Sequence, residues 1–144
     1  MKRLKSFCVI LLILFLCASM YGCATPAVKA LQTEESQVQL RSIQSRAFDT
    51  TDKKKMLQNV ISTMQDLDFV IEKADLALGS VTGSKFLGYV SVTMSVTVRA
   101  RGEKQLLVRA SAQYGIKTVE DPQTYQDFFN ALEKAIFLTA QQVD

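Results

Sequence analysis

The stretch VSVTMSVTV, residues 90–98, decides the fold of this chain. Apolar and hydroxyl-bearing side chains alternate along it, and this period of two predicts a β-strand with one buried and one exposed face. The next residues, RARGEK, place Gly102 in a turn. The alternation then returns along a partner strand at Leu106, Val108, Ala110, Ala112 and Tyr114. Together the two segments predict an antiparallel hairpin whose apolar face needs a cover.

Two other regions favour extended backbone. Residues 40–48, LRSIQSRAF, alternate imperfectly, which is typical of an edge or bulged strand. The other region begins at Phe69 as a strand that Gly79 breaks, and a second extended piece, SVTGSKF, follows, where Gly83 is a candidate bulge.

Two segments have the period of an amphipathic helix. The first follows the candidate N-cap residues DTTD, 49–52, and the second follows Asp121 as N-cap and Pro122 as first helical residue. The apolar stripe of the first contains Met56, Leu57, Val60, Ile61, Met64 and Leu67. That of the second contains Tyr125, Phe128, Phe129, Leu132, Ala135 and Ile136.

The order of these elements is β-α-β-β-β-α. We therefore expect an α+β fold in which an antiparallel sheet of about four strands carries two amphipathic helices on one face, as a two-layer sandwich. Residues 39–144 contain all of these elements and are long enough for one domain with a real core, but not for two.

The N-terminus has the pattern of an export signal over residues 1–22. Lys2, Arg3 and Lys5 precede an apolar run at residues 7–16, and small residues follow. A membrane-spanning helix needs about 20 apolar residues, so this run favours a signal over a retained span. Cleavage by ordinary signal peptidase before Thr25 is one outcome of this pattern, and it would give a soluble secreted protein.

Met20-Tyr21-Gly22-Cys23 resembles a bacterial lipobox, the motif whose cysteine becomes the lipidated first residue of a lipoprotein. The resemblance implies lipidation of Cys23, and Ala24 after it implies sorting to the periplasmic side of the outer membrane, with the inner membrane as the alternative. Residues 23–38 then form the lipidated N-terminus and a flexible tether that reaches on the order of 20 Å. The predicted domain also resembles, in architecture alone, the helix-grip-like domains of small envelope lipoproteins.

Composition argues against several functions. Without Lys2, Arg3 and Lys5 the chain has 14 basic and 14 acidic residues, so we expect no nucleic-acid binding. Histidine is absent, and we find neither a nucleophile motif nor a phosphate-binding glycine loop. We expect no catalytic residues, no metal and no cofactor, and hence not an enzyme.

Two sets of residues are candidates for function. The predicted exposed face of residues 90–98 carries Ser91, Thr93, Ser95 and Thr97 and continues to Arg99. This face is either simply solvated or a docking surface for an envelope protein. Tyr125, Phe128 and Phe129 are either core residues or the lining of an apolar groove. We therefore expect a non-catalytic structural, assembly or interaction partner in the cell envelope. The alternative is a carrier of a lipid or apolar ligand held between sheet and helices.

Overall fold

The computed structural model describes residues 36–141, and those from Val38 onward belong to one compact unit. The architecture is α+β, as the sequence predicts. Residues 36–43 form α1. The other elements are β1 (Ser45–Phe48), α2 (Lys53–Asp66), β2 (Val70–Asp75), β3 (Ser80–Leu87), β4 (Val90–Arg101), β5 (Gln105–Tyr114), β6 (Lys117–Thr118) and α3 (Pro122–Gln141).

The sheet has six strands, so the prediction of about four was wrong. Its order is β1-β5-β4-β3-β2, β6 also pairs with β5, and all pairings are antiparallel. The extended region from Phe69 folds back on itself as β2 and β3. The Asp75 carboxylate accepts a 2.8 Å hydrogen bond from the Leu78 amide, and Gly79 takes a positive φ of 72° that glycine adopts without steric cost. These features make a tight turn at the predicted break, and the extended pieces on either side of it are β2 and β3.

The prediction of a strand over residues 40–48 was wrong for its first half. Residues 36–43 are helical, and only Ser45–Phe48 is a strand. Leu40 and Ile43, three residues apart and so on one helix face, pack against the core. Pairing with β5 starts where the Ala110 amide donates to the Gln44 carbonyl at 2.9 Å. The imperfect alternation therefore reflects a change from helix to strand near Gln44.

The core lies between one face of the sheet and the two long helices. The predicted facing of residues 90–98 is confirmed, because Val92, Met94, Val96 and Val98 are buried while the hydroxyl positions are partly exposed. Both helices present the predicted stripes to this core. The buried residues are Val92, Met94, Val96 and Val98 of β4, Leu106, Val108, Ala110 and Ala112 of β5, Met56, Leu57, Val60 and Met64 of α2, Tyr125, Phe128, Phe129 and Leu132 of α3, and Phe69 and Val81.

Gly83 of β3 lies close to both α2 and β2. A Cβ atom on Gly83 would lie 2.8 Å from the Val70 carbonyl oxygen and 3.1 Å from the Met64 Cε. The β-bulge predicted at Gly83 lies instead on the partner strand, between Ile71 and Lys73. The lack of a side chain at Gly83 therefore leaves room for the Val70 carbonyl and the Met64 side chain, and β3 itself has no bulge at this position.

Both helices begin at the predicted caps. The Asp52 carboxylate accepts from the Lys55 amide at 2.9 Å, and the Asp121 carboxylate accepts from the amide and the hydroxyl of Thr124 at 3.2 and 3.0 Å. The Thr124 hydroxyl and the Gln123 amide hold the pKa of the Asp121 carboxyl below its ordinary value of 3.8.

Candidate functional site

The hydroxyl row of β4, Ser91, Thr93, Ser95 and Thr97, lies on the sheet face opposite the core. β3 adds further hydroxyls through its register with β4. The Ser84 and Thr93 hydroxyl oxygens lie 3.0 Å apart, and those of Thr82 and Ser95 lie 3.2 Å apart. This face, which we call the open face, is thus a connected layer of small hydroxyl side chains, partly exposed over most of β4.

Arginines surround one end of the open face. Arg99 and Arg101 continue the hydroxyl row along β4 and are exposed, and Arg109 of β5 lies directly opposite Thr97. Residues 80–119, which include all of β3, β4 and β5, contain six lysine or arginine residues but a single acidic one, Glu103. The balance of 14 basic and 14 acidic residues beyond Lys5 therefore conceals a positive sheet, because every acidic residue except Glu103 lies outside residues 80–119.

Sequence reasoning identified only the β4 part of this face. Thr82, Ser84, Arg109 and Ser111 join it through strand pairing across β3 and β5. The period-two pattern of each strand indicates which of its residues share a face, but the neighbouring residues depend on the register between strands.

Tyr125, Phe128 and Phe129 are fully buried. The two phenylalanine rings pack edge to face with centroids 5.2 Å apart, and the Arg46 guanidinium lies 4.9 Å from the Phe129 ring centroid. The Tyr125 hydroxyl donates to the Val119 carbonyl at 2.6 Å. In the structure these three side chains belong to the core.

A cavity of about 390 Å³ opens beside that core, between sheet and helices. Its apolar wall contains Leu67, Phe69, Leu87, Val92, Met94, Tyr114 and Val119, and its polar lining consists of Lys85, Thr124 and Asp127. A smaller cavity of about 230 Å³ lies between α2 and the β2–β3 turn. Neither cavity includes Tyr125, Phe128 or Phe129 in its lining.

Among residues 36–141, no three histidine, cysteine, aspartate or glutamate side chains are grouped so that they could hold a metal ion. Within the same residues, no helix combines the length and the apolar character needed to cross a bilayer. Cys23, the predicted signal peptide 1–22 and the tether as far as residue 35 lie outside the described part of the chain.

No protein-family model matches the chain, and the search of curated proteins found no match. Function must therefore be argued from the residues themselves.

Proposed function

We propose that this chain is a lipid-anchored protein of the bacterial cell envelope, facing the periplasm, that acts by binding an envelope protein and catalyses no reaction. The leader supports export, and Cys23 in its lipobox-like context supports the anchor. The architectural likeness to helix-grip-like domains of envelope lipoproteins agrees with this role but carries little weight, because fold alone does not determine function.

The open face is the observation that carries the proposal. It combines a partly exposed layer of hydroxyls with Arg99, Arg101 and Arg109, and no carboxylate in β3, β4 or β5 neutralises them. Short hydroxyl side chains keep this face free of bulky groups and supply hydrogen-bond donors and acceptors, while arginine favours bidentate contacts with carboxylates. We infer that the partner presents an acidic, polar surface.

The anchor is tested by metabolic labelling with a clickable palmitate. The wild type should be labelled, while Cys23→Ser should not. Equal labelling of both proteins, or of neither, would contradict the anchor and favour simple secretion.

The binding face is tested by crosslinking in intact envelopes, followed by purification of the chain and identification of its neighbours. Arg99→Glu/Arg101→Glu reverses two charges at exposed positions whose side chains make no hydrogen bond to another residue within 36–141, so the fold should persist. We expect at least one protein that crosslinks to the wild type to be missing from the proteins crosslinked to this variant. Lys134→Glu, an exposed charge reversal on α3, is the control and should keep that neighbour. An unchanged set of neighbours in all three proteins would contradict the proposal.

A carrier of an apolar ligand is the second candidate, and the cavity of about 390 Å³ favours it. That volume lies in the range of small-molecule pockets, and the lining is mainly apolar. Mass spectrometry of an organic extract of the purified protein tests this function. A stoichiometric lipid, together with unchanged neighbours of Arg99→Glu/Arg101→Glu, would favour the carrier over the binding partner.

A further inference from the structure

Two hairpin turns of the sheet are built alike. Gly88-Tyr89 joins β3 to β4, and Gly115-Ile116 joins β5 to β6. Each glycine takes a positive φ, 65° and 60°, as a tight two-residue turn requires. In each turn a large apolar side chain follows the glycine and is fully exposed to solvent. Such turns usually carry polar residues, so the apolar choice in both needs an explanation.

The two turns lie side by side at one end of the sheet. The Gly115 amide donates a 3.0 Å hydrogen bond to the Ser91 carbonyl, and Ser91 is the register partner of Phe86. Phe86 is itself 79% exposed. We call this exposed apolar set the hairpin-tip surface, and it consists of Phe86, Leu87, Tyr89, Tyr114 and Ile116.

The hairpin at the opposite end of the same sheet provides a contrast. β4 and β5 are joined by Gly102, Glu103 and Lys104, a turn that also begins with a glycine at positive φ but then carries two charged residues. Leu76 and Leu78 are exposed in the β2–β3 turn, but Asp75 and Lys53 bind the backbone of that turn and place both signs of charge there. Neither of these other two turns therefore combines exposed apolar side chains with a lack of acidic residues, as the hairpin-tip surface does.

The charged residues of the two hairpins next to the hairpin-tip surface are lysines. Lys117 follows Ile116 and is exposed, whereas Lys85, which precedes Phe86, donates to the Leu67 carbonyl at 3.2 Å with its ammonium 4.7 Å from the Phe69 ring centroid. One carboxylate, Asp127 of α3, lines the adjoining cavity. Neither of the two hairpins contains an acidic residue between residues 80 and 98 or between 105 and 119. Aromatic and aliphatic tips beside lysines are typical of segments that lie in the headgroup region of a membrane, where anionic phosphates meet the lysines.

We propose that the hairpin-tip surface inserts into the surface of a phospholipid bilayer. Gly88 has no atom close to the position of a Cβ, and Tyr89 and Ile116 are fully exposed, so the tips project from the domain. Projecting side chains bury little area against a flat, rigid protein surface, whereas fluid lipid closes around them. Leu87 and Tyr114 also line the cavity of about 390 Å³, so the mouth of that cavity would face the bilayer.

This inference deepens the proposed function, because it rests on the anchor for placing a bilayer within reach of the domain. It is tested on residues 23–144, the chain that remains once the proposed leader is removed, with Cys23 changed to serine, which takes both the apolar leader and lipidation out of the measurement. A negative result in this experiment is therefore independent of the result of palmitate labelling. A single cysteine is introduced as Ile116→Cys or, at the opposite end of the sheet, as Glu103→Cys, and labelled with an environment-sensitive fluorophore.

The labelled proteins are mixed with vesicles of phosphatidylethanolamine and phosphatidylglycerol that contain brominated acyl chains. We expect a blue shift and quenching of the probe at position 116, and neither at position 103. Tyr89→Asp in the Ile116→Cys protein should abolish the quenching while circular dichroism stays unchanged. Vesicles of phosphatidylcholine alone should quench less, because they lack the anionic lipid that attracts lysine.

Equal quenching at both ends, or none at either, would overturn the proposal. A shift at position 116 that needs no lipid and grows with protein concentration would also overturn it, because it would identify a second copy of the chain as the occupant.

Discussion

Gln44 and Tyr125 are 81 positions apart in the sequence, yet the Gln44 side-chain amide donates a 3.1 Å hydrogen bond to the Tyr125 hydroxyl in the interior of the domain. The same hydroxyl accepts from the Ala112 amide at 3.3 Å and donates to the Val119 carbonyl at 2.6 Å. One phenol thus connects α3, β5, the α1–β1 junction and the segment before α3. Because the Gln44, Ala112 and Tyr125 groups are buried and the Val119 carbonyl is partly buried, these hydrogen bonds are costly to lose.

Tyr125→Phe should lower the free energy of unfolding by about 1–3 kcal/mol, because it leaves buried donors and an acceptor without a partner. Urea denaturation measures the change. Tyr89→Phe removes a hydroxyl from a fully exposed ring and should change stability by less than about 0.5 kcal/mol. Equal effects of the two substitutions would show that the Tyr125 hydroxyl is not a structural connection.

Val96→Asp and Thr97→Asp place a carboxylate on opposite faces of β4. Val96 is fully buried, so the carboxylate would be unpaired in the core, and we expect loss of several kcal/mol or complete unfolding. At Thr97 the carboxylate would face Arg109 on the open face, and the effect should be small. Thermal melts of both variants compare them directly. A Thr97→Asp protein as damaged as Val96→Asp would contradict the assigned facing.

Gly83→Ala should destabilise the domain by about 1–3 kcal/mol, because a Cβ atom would approach the Val70 carbonyl oxygen to 2.8 Å. Denaturant unfolding tests this. Gly102→Ala is the control for glycine replacement without crowding: its positive φ of 63° is strained for alanine, but no atom lies within 4 Å of the added carbon. We expect it to cost about 1 kcal/mol. If Gly83→Ala leaves the free energy of unfolding unchanged, α2 and β2 can move away from β3 without loss of stability.

Asp121→Asn should reduce the sensitivity of the domain to acid. The folded-state pKa of Asp121 lies below 3.8, so its carboxylate stabilises the fold above that pH, and this contribution is lost as the pH falls through the folded-state pKa. Asparagine caps a helix about as well and does not titrate in this range. Stability measured at a series of pH values from neutral to acidic should therefore fall less steeply in the variant. Parallel curves for the two proteins would contradict this role of Asp121.

The sequence by itself determined the local features. Strict alternation predicted the two faces of β4, because successive side chains of a strand point to opposite sides wherever the strand lies. Helical spacing and the capping residues Asp52 and Asp121 predicted the two long helices, because those signals act within one or two turns of backbone. These features give the α+β class and the buried stripes.

Tertiary structure alone decided the number of strands, their register and the surfaces that result. The imperfect pattern of residues 40–48 is compatible with helix or strand, and the contacts of Leu40 and Ile43 with the core decide between them. Arg109 joins Thr97, and the two apolar turns become neighbours, only because β5 pairs with β4 in one particular register. Register depends on the exact length and type of each turn and on which face of the paired strand is buried, and the alternation within a single strand fixes neither.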